Sequence, residues 1–228
     1  MQSDNLGYSK YMILFGNKSH NHDPLWHVQI TLLGVIILQI LLPDNLNALP
    51  KYILPTLELL CLVVLQFVTP KTPIFSSKIR RLVAIILIVL IAVANASSLQ
   101  LLIHALFEAT KADAPSLLIA AVSIYVTNVV IFGLLYWEMD GGGPGIRRTN
   151  DTNSRDFLFP QQNLSYKQSD PWHPTFVDYL YVSVTNATAF SPTDTLPLTR
   201  RSKMIMGGQA FLSLLVVALV AARAINIL

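Results

Sequence analysis

Residues 174–203 read PTFVDYLYVSVTNATAFSPTDTLPLTRRSK. The first half is apolar enough to enter a membrane, yet it is too short and too rich in hydroxyls to make a comfortable span. Pro192 and Pro197 then stop any helix. The apolar run Met204 to Leu228 follows at once and is long enough to cross. A short helix, then extended backbone, then a full span predicts a segment that enters the bilayer and returns to the face it came from. Such backbone is tolerated at membrane depth only where it is buried in protein or lines a wet cavity.

The rest of the chain supplies the membrane. It has 228 residues, 53% of them hydrophobic and 13% charged, and its mean hydropathy is +0.51. Soluble domains carry roughly 25% charged residues, and one core of this size cannot hide so much apolar surface. A helix needs roughly 20 apolar residues to cross a ~30 Å hydrocarbon core. Besides the last run, Trp26 to Leu42, Tyr52 to Val68, Leu82 to Phe107 and Ser116 to Trp137 meet that need or nearly do. The run from Tyr52 is the weakest, because it holds Pro55 and Glu58. Trp26, Tyr52, Tyr136 and Trp137 stand at run ends, where amphipathic rings prefer the headgroup zone. The first 25 residues are polar and lack the apolar core of a signal peptide. The expected fold is therefore an all-α integral membrane protein with about five transmembrane helices and a re-entrant, pore-helix-like segment before the last. Its parts are a polar segment 1–25, a four-helix membrane region 26–137, a polar loop 138–173 and a channel-like unit 174–228.

At Tyr181 to Pro197 the chain resembles the pore region of tetrameric potassium channels, whose pattern is roughly Y-F-S-F-x-T-x-T-T-V-G-Y-G-D-x-x-P. Tyr181, Ser183, Thr188, Asp194 and Pro197 fall on matching positions without gaps. Counting the last helix, the resemblance covers about a fifth of the chain. The chain also resembles a group of bacterial membrane proteins in which DFLFPQ and TNATAFSPTDTxPLT are expected to recur, which implies a multi-pass protein of the bacterial inner membrane. The channel resemblance implies a homotetramer that passes ions through a path of Thr185, Thr188, Ala189, Phe190, Ser191, Pro192, Thr193 and Asp194. The departure is informative. Ala189 to Thr193 stand where channels have TVGYG, with Ser191 and Thr193 replacing both glycines. The potassium filter aims successive carbonyls at the ion, and its glycines adopt backbone angles that a Cβ disfavours. Pro192 restricts the backbone further. The expectation is a weakly selective cation path, with monovalent or other cations attracted by Asp194. The alternative is a non-conducting protein that uses a channel-like fold as an assembly or interaction module.

Other polar residues have two readings. Thr185, Asn186 and Thr188 either line a path or satisfy backbone and interhelical bonds. Asp194 faces an ion or caps a turn. Asp178 suits the first turn of a helix. Glu58, Asn95 and His104 form a possible intramembrane polar site; the latter two equally suit interhelical hydrogen bonds. Gly207 and Gly208 allow a hinge or close packing. His20, His22 and His27 form H-x-H-x4-H, a weak metal pattern without supporting cysteines or acids. Cys61 is alone, so no disulfide framework exists. No HExxH, GxSxG or paired intramembrane aspartate points to an enzyme. Nothing calls for a cofactor, and the net charge of +3 carries no nucleic-acid footprint.

Charge sets an orientation. The stretch 71–81, KTPIFSSKIRR, has Lys71, Lys78, Arg80 and Arg81 and no acid, so it belongs in the cytoplasm. Two spans later the polar loop 138–173 shares that side. With the N-terminus and Arg200, Arg201 and Lys203, that side holds 13 of the 16 Lys and Arg. The loop then enters from the cytoplasm, as in glutamate-receptor pores and opposite to potassium channels.

Overall fold

The computed structural model describes residues 26–42, 50–68, 77–107, 114–144, 147, 155–163, 172–188 and 194–225. It is mostly helical. In chain order the elements are α1 (Trp26–Leu41), α2 (Ile53–Val68), α3 (Ser77–Phe107), α4 (Ala114–Met139), a 3₁₀ turn (Asp140–Gly142), β1 (Phe157–Leu158), α5 (Pro160–Asn163), α6 (Phe176–Thr188), β2 (Leu196–Pro197) and α7 (Arg200–Ile225). Three helices are long and apolar enough to cross a membrane: Ile79–Ala105, Pro115–Gly142 and Arg200–Ala221. At 1.5 Å per residue the 16 residues of α1 rise about 24 Å, and α2 matches it.

Two helix starts precede the apolar runs by a full turn or more. The helix α3 begins at Ser77 rather than Leu82 and takes Lys78, Arg80 and Arg81 into its first turns. The helix α7 begins at Arg200 rather than Met204. Apolar runs mark where lipid lies, whereas a helix continues past the hydrocarbon until a cap stops it. Thr199 is that cap for α7. Its Oγ1 accepts from Ser202 N at 3.2 Å, and Ser202 Oγ accepts from Thr199 N at 3.2 Å. These are the reciprocal bonds of a capping box. At the start of α6 the carboxylate alone forms the side-chain cap, with Asp178 Oδ2 accepting from Thr175 N at 2.7 Å and from Thr175 Oγ1 at 2.8 Å. Asp178 is thus the first-turn acid expected.

The exposed faces are as apolar as the buried ones. On α3, Leu87, Ile91 and Ala94 are buried, while Leu82, Ile86, Val89 and Val93 are exposed. On α7 the usual pattern is inverted. Ser202, Met206, Gln209, Ser213 and Val216, spaced by four and three residues, face inward, and Met204, Phe211, Leu214 and Val217 face outward. Only lipid or another apolar surface suits such an exterior.

The helix α4 is central. From Thr127 to Met139 none of its residues is exposed, because α1, α3, α6 and α7 all pack on it. The Cβ of any larger residue at Gly133 would meet Leu180 Cα and Cδ1 at 3.2 Å, so this glycine sets how closely α6 approaches. The class is all-α as expected, and among the described residues one short antiparallel pairing accompanies the helices: Phe157 pairs with Pro197 and Leu158 with Leu196.

The close approach gives a direct test. Gly133→Ala forces α6 away from α4 and is expected to destabilise the purified protein by about 1–3 kcal/mol. Gly207→Ala meets nothing within 4 Å and is expected to leave thermal unfolding in detergent unchanged or slightly raised.

Candidate functional site

The sequence EMDGGG ends α4 in a turn that favours glycine at three successive positions. Gly141, Gly142 and Gly143 have φ of 58°, 84° and 98°, a region that residues with a Cβ rarely adopt. A Cβ on Gly143 would also meet Glu138 O at 3.2 Å and Glu138 Oε2 at 3.3 Å. The turn folds the chain back so that the carboxylate of Asp140, itself buried, faces the returning loop.

Asp140 then gathers three segments. Its Oδ1 accepts from Asp156 N at 2.7 Å and Phe157 N at 3.2 Å. Its Oδ2 accepts from the Tyr179 hydroxyl and lies 3.7 Å from Arg147 Nη1. Arg147 donates to the Tyr179 hydroxyl at 2.7 Å and to Trp137 O at 3.1 Å, and its guanidinium lies 4.8 Å from the centre of the Tyr179 ring. Asp156 passes the connection to the last helix. Its Oδ1 accepts from Thr199 Oγ1 at 2.5 Å, and its carbonyl accepts from Leu198 N at 2.8 Å. A buried charge is tolerated when paired and fully hydrogen-bonded, and Asp140 meets that condition.

Aromatic rings close the site. Phe157 lies 5.2 Å from Tyr136 and 6.1 Å from Tyr179, and Phe159 lies 5.2 Å from Tyr179 and 5.5 Å from Trp172. Such pairs add about 0.5–1.5 kcal/mol each beyond area burial. DFLFPQ is therefore the lid of this cluster, and DTLPL is its strand partner. Beside it, Arg80 donates to Glu138 at 2.8 and 3.3 Å, which brings the start of α3 and the end of α4 to one end of the bundle.

Below the cluster runs a polar seam between α4, α6 and α7. Gln209 donates to Ser183 O at 2.9 Å and Ser183 Oγ at 2.6 Å, and accepts from Tyr136 at 2.5 Å. Asn186 donates to Gln209 Oε1 and to Met206 O, both at 2.9 Å. Ser183 donates to Val129 O at 2.6 Å, and Asn128 to Ser213 at 3.3 Å.

The path residues expected from sequence are only partly visible. Thr185 donates to its own helix, to Tyr181 O at 2.9 Å and Val182 O at 3.0 Å, and Thr188 donates to Thr185 O at 3.1 Å. Both satisfy backbone groups. Asp194 is exposed. Ala189, Phe190, Ser191, Pro192 and Thr193 lie outside the described residues, as do His20 and His22. His27 stacks on Trp26, ring centres 3.7 Å apart. Asn95 lines a cavity beside Gln39, which in turn bonds Glu58, whereas His104 is exposed and joins neither. Among the described residues no group of three or more His, Cys, Asp or Glu is placed to hold a metal ion.

Sequence reading missed Asp140, Arg147, Asp156, Tyr179 and Gln209. One signal was present: three glycines directly after an acid at the end of a span require a special turn. Compared with protein-family models, curated proteins and solved structures, the chain matches none.

The Asp140–Arg147 pair is expected to behave as a unit. Asp140→Ala or Arg147→Met alone should cost about 3–5 kcal/mol, since each strands a buried charge. The double variant should lose less than the sum, with a coupling of about 0.5–3 kcal/mol in a double-mutant cycle on detergent-solubilised protein.

Proposed function

We propose that the chain is a pore-loop membrane protein, with α1, α2, α3, α4 and α7 as five spans and the segment 174–199 re-entering the membrane before the last. One observation carries this reading: both ends of that segment are tied to one end of α4. Tyr179 bonds Asp140 at the start of α6, and β2 pairs with β1, whose first residue also bonds Asp140. Beyond the tie at Tyr179, α6 continues to Thr188, about 14 Å along its axis, against α4 and α7. Arg80, Arg200, Arg201 and Lys203 collect at the same end, so the segment enters from the cytoplasm by the positive-inside rule.

In this reading four copies enclose a path between their α6 ends and returning strands. Asp194 supplies a ring of carboxylates that concentrates cations. Hydroxyls and carbonyls of residues 185–193 replace part of the ion's hydration. The outward apolar faces of α6 and α7, including Tyr181, Val184, Phe211 and Leu214, are shared between neighbouring copies and lipid.

A second reading has its own support. Thr185, Asn186 and Thr188 all spend hydrogen bonds within one copy. A segment whose described polar side chains already bond within one copy suits a non-conducting assembly module that keeps a channel-like fold.

The two readings part on current. The purified oligomer should contain four copies and pass cations in planar bilayers. Asp194→Asn should lower that current most at low salt, because screening hides the ring at high salt, while thermal stability stays within about 1 kcal/mol. A monomer in native membranes contradicts the assembly. A tetramer without current leaves the second reading.

A further inference from the structure

Arg80 and Glu138 meet where two spans leave the hydrocarbon. Arg80 stands just before Leu82, the start of the third apolar run, and Glu138 follows Trp137, the end of the fourth. Their bond is bidentate, with Arg80 Nη1 donating to Glu138 Oε1 at 2.8 Å and Nη2 to Oε2 at 3.3 Å. The guanidinium carbon also lies 5.7 Å from the centre of the Trp137 ring, at the headgroup level that tryptophan favours. A guanidinium has five N–H donors, and a carboxylate has about four lone-pair positions. The two mutual bonds therefore leave capacity on both groups.

Both side chains line a cleft between α1, α2, α3 and α4. Gln29 of α1 and Arg80 are partly exposed and stand with Glu138 at its mouth. Every other described residue of the wall is apolar, and Leu32, Leu62, Leu87, Ile88 and Leu134 are buried. From Arg80 to Ile88 the wall follows α3 for about 12 Å along its axis. One leaflet supplies half of a ~30 Å hydrocarbon core, so the cleft spans most of a leaflet. It begins with paired charges at the interface and continues as hydrocarbon, which is the polarity profile of a phospholipid.

We propose that this cleft binds one phospholipid with a phosphoethanolamine headgroup, its phosphate on Arg80, its ammonium on Glu138 and one acyl chain along the apolar wall. Charge complementarity selects the headgroup. The mouth presents one cation and one anion in contact, and phosphoethanolamine carries one of each. A guanidinium recognises phosphate oxygens through its N–H fork, and a primary ammonium offers three N–H donors to the carboxylate. Phosphocholine has no N–H to give Glu138, and phosphoglycerol has no cation to place there. The site needs only that α3 and α4 cross the membrane. Segment 174–199 takes no part in it, so the lipid binds whether or not the protein conducts.

The test uses full-length, delipidated protein in detergent with added dioleoyl-phosphatidylethanolamine, -phosphatidylcholine or -phosphatidylglycerol. The ethanolamine lipid should raise the unfolding temperature in a saturable way, as a ligand of the native state does. Its half-saturating concentration should be lower than that of either other lipid by roughly tenfold or more, the effect of one matched charged hydrogen bond. Glu138→Gln should erase the preference for ethanolamine over choline. That variant strands Arg80 and risks misfolding, so the decisive readout uses the native chain. Phosphatidylethanolamine with a photoreactive diazirine in its acyl chain should label peptides that contain Leu87 and Leu134. Unlabelled ethanolamine lipid should suppress the adduct at concentrations where choline lipid does not. Equal responses to all three lipids, or a preference for the glycerol lipid, overturn the proposal. So does label spread over the outward faces of α3 and α7, or a cleft that takes no label because protein fills it.

Discussion

Everything at one end of this bundle depends on how a single buried carboxylate is satisfied. Asp140 accepts two backbone N–H groups and one phenol and faces one guanidinium. Its position exists only because three glycines in a left-handed conformation end α4. Through these partners α4, β1 and α6 are fixed together, and Asp156 and Thr199 extend the link to α7. The energetic logic is that of any buried ion: removal of one partner exposes the full desolvation cost of the other.

That arrangement explains how a chain with apolar exteriors on every long helix still folds uniquely. Between helices in lipid no hydrophobic force discriminates one face from another, so polar bonds and close packing must. The Gln209, Ser183, Asn186 and Tyr136 seam provides the first, and Gly133 against Leu180 provides the second. Together they orient α6 between α4 and α7, with apolar side chains of both helices facing outward.

The membrane helices were legible in the sequence because lipid requires long apolar runs, and α3, α4 and α7 announce themselves that way. The short helix at Phe176–Thr188 was legible for a similar reason, since proline and hydroxyl content limit a span. The clamp was not. A two-residue strand carries no periodicity, and the partners of Asp140 lie 16 and 39 residues away. Gln209 was readable in principle. A lone amide on a stripe with Ser202, Met206, Ser213 and Val216 has to find partners inside the protein. His104 shows the converse: near Asn95 in sequence, it points outward.

The most direct test of this architecture is the pairing that ties both ends of segment 174–199 to one end of α4. Leu158 and Leu196 stand opposite each other in the β1–β2 bridge, at the Cα separation of about 4.5–5.5 Å typical of antiparallel neighbours and suited to a disulfide. With Cys61→Ser as background, Leu158→Cys and Leu196→Cys should form an intramolecular disulfide in native membranes under mild oxidation. Thiols that stay reduced, or a cross-link that joins two chains, would contradict the account.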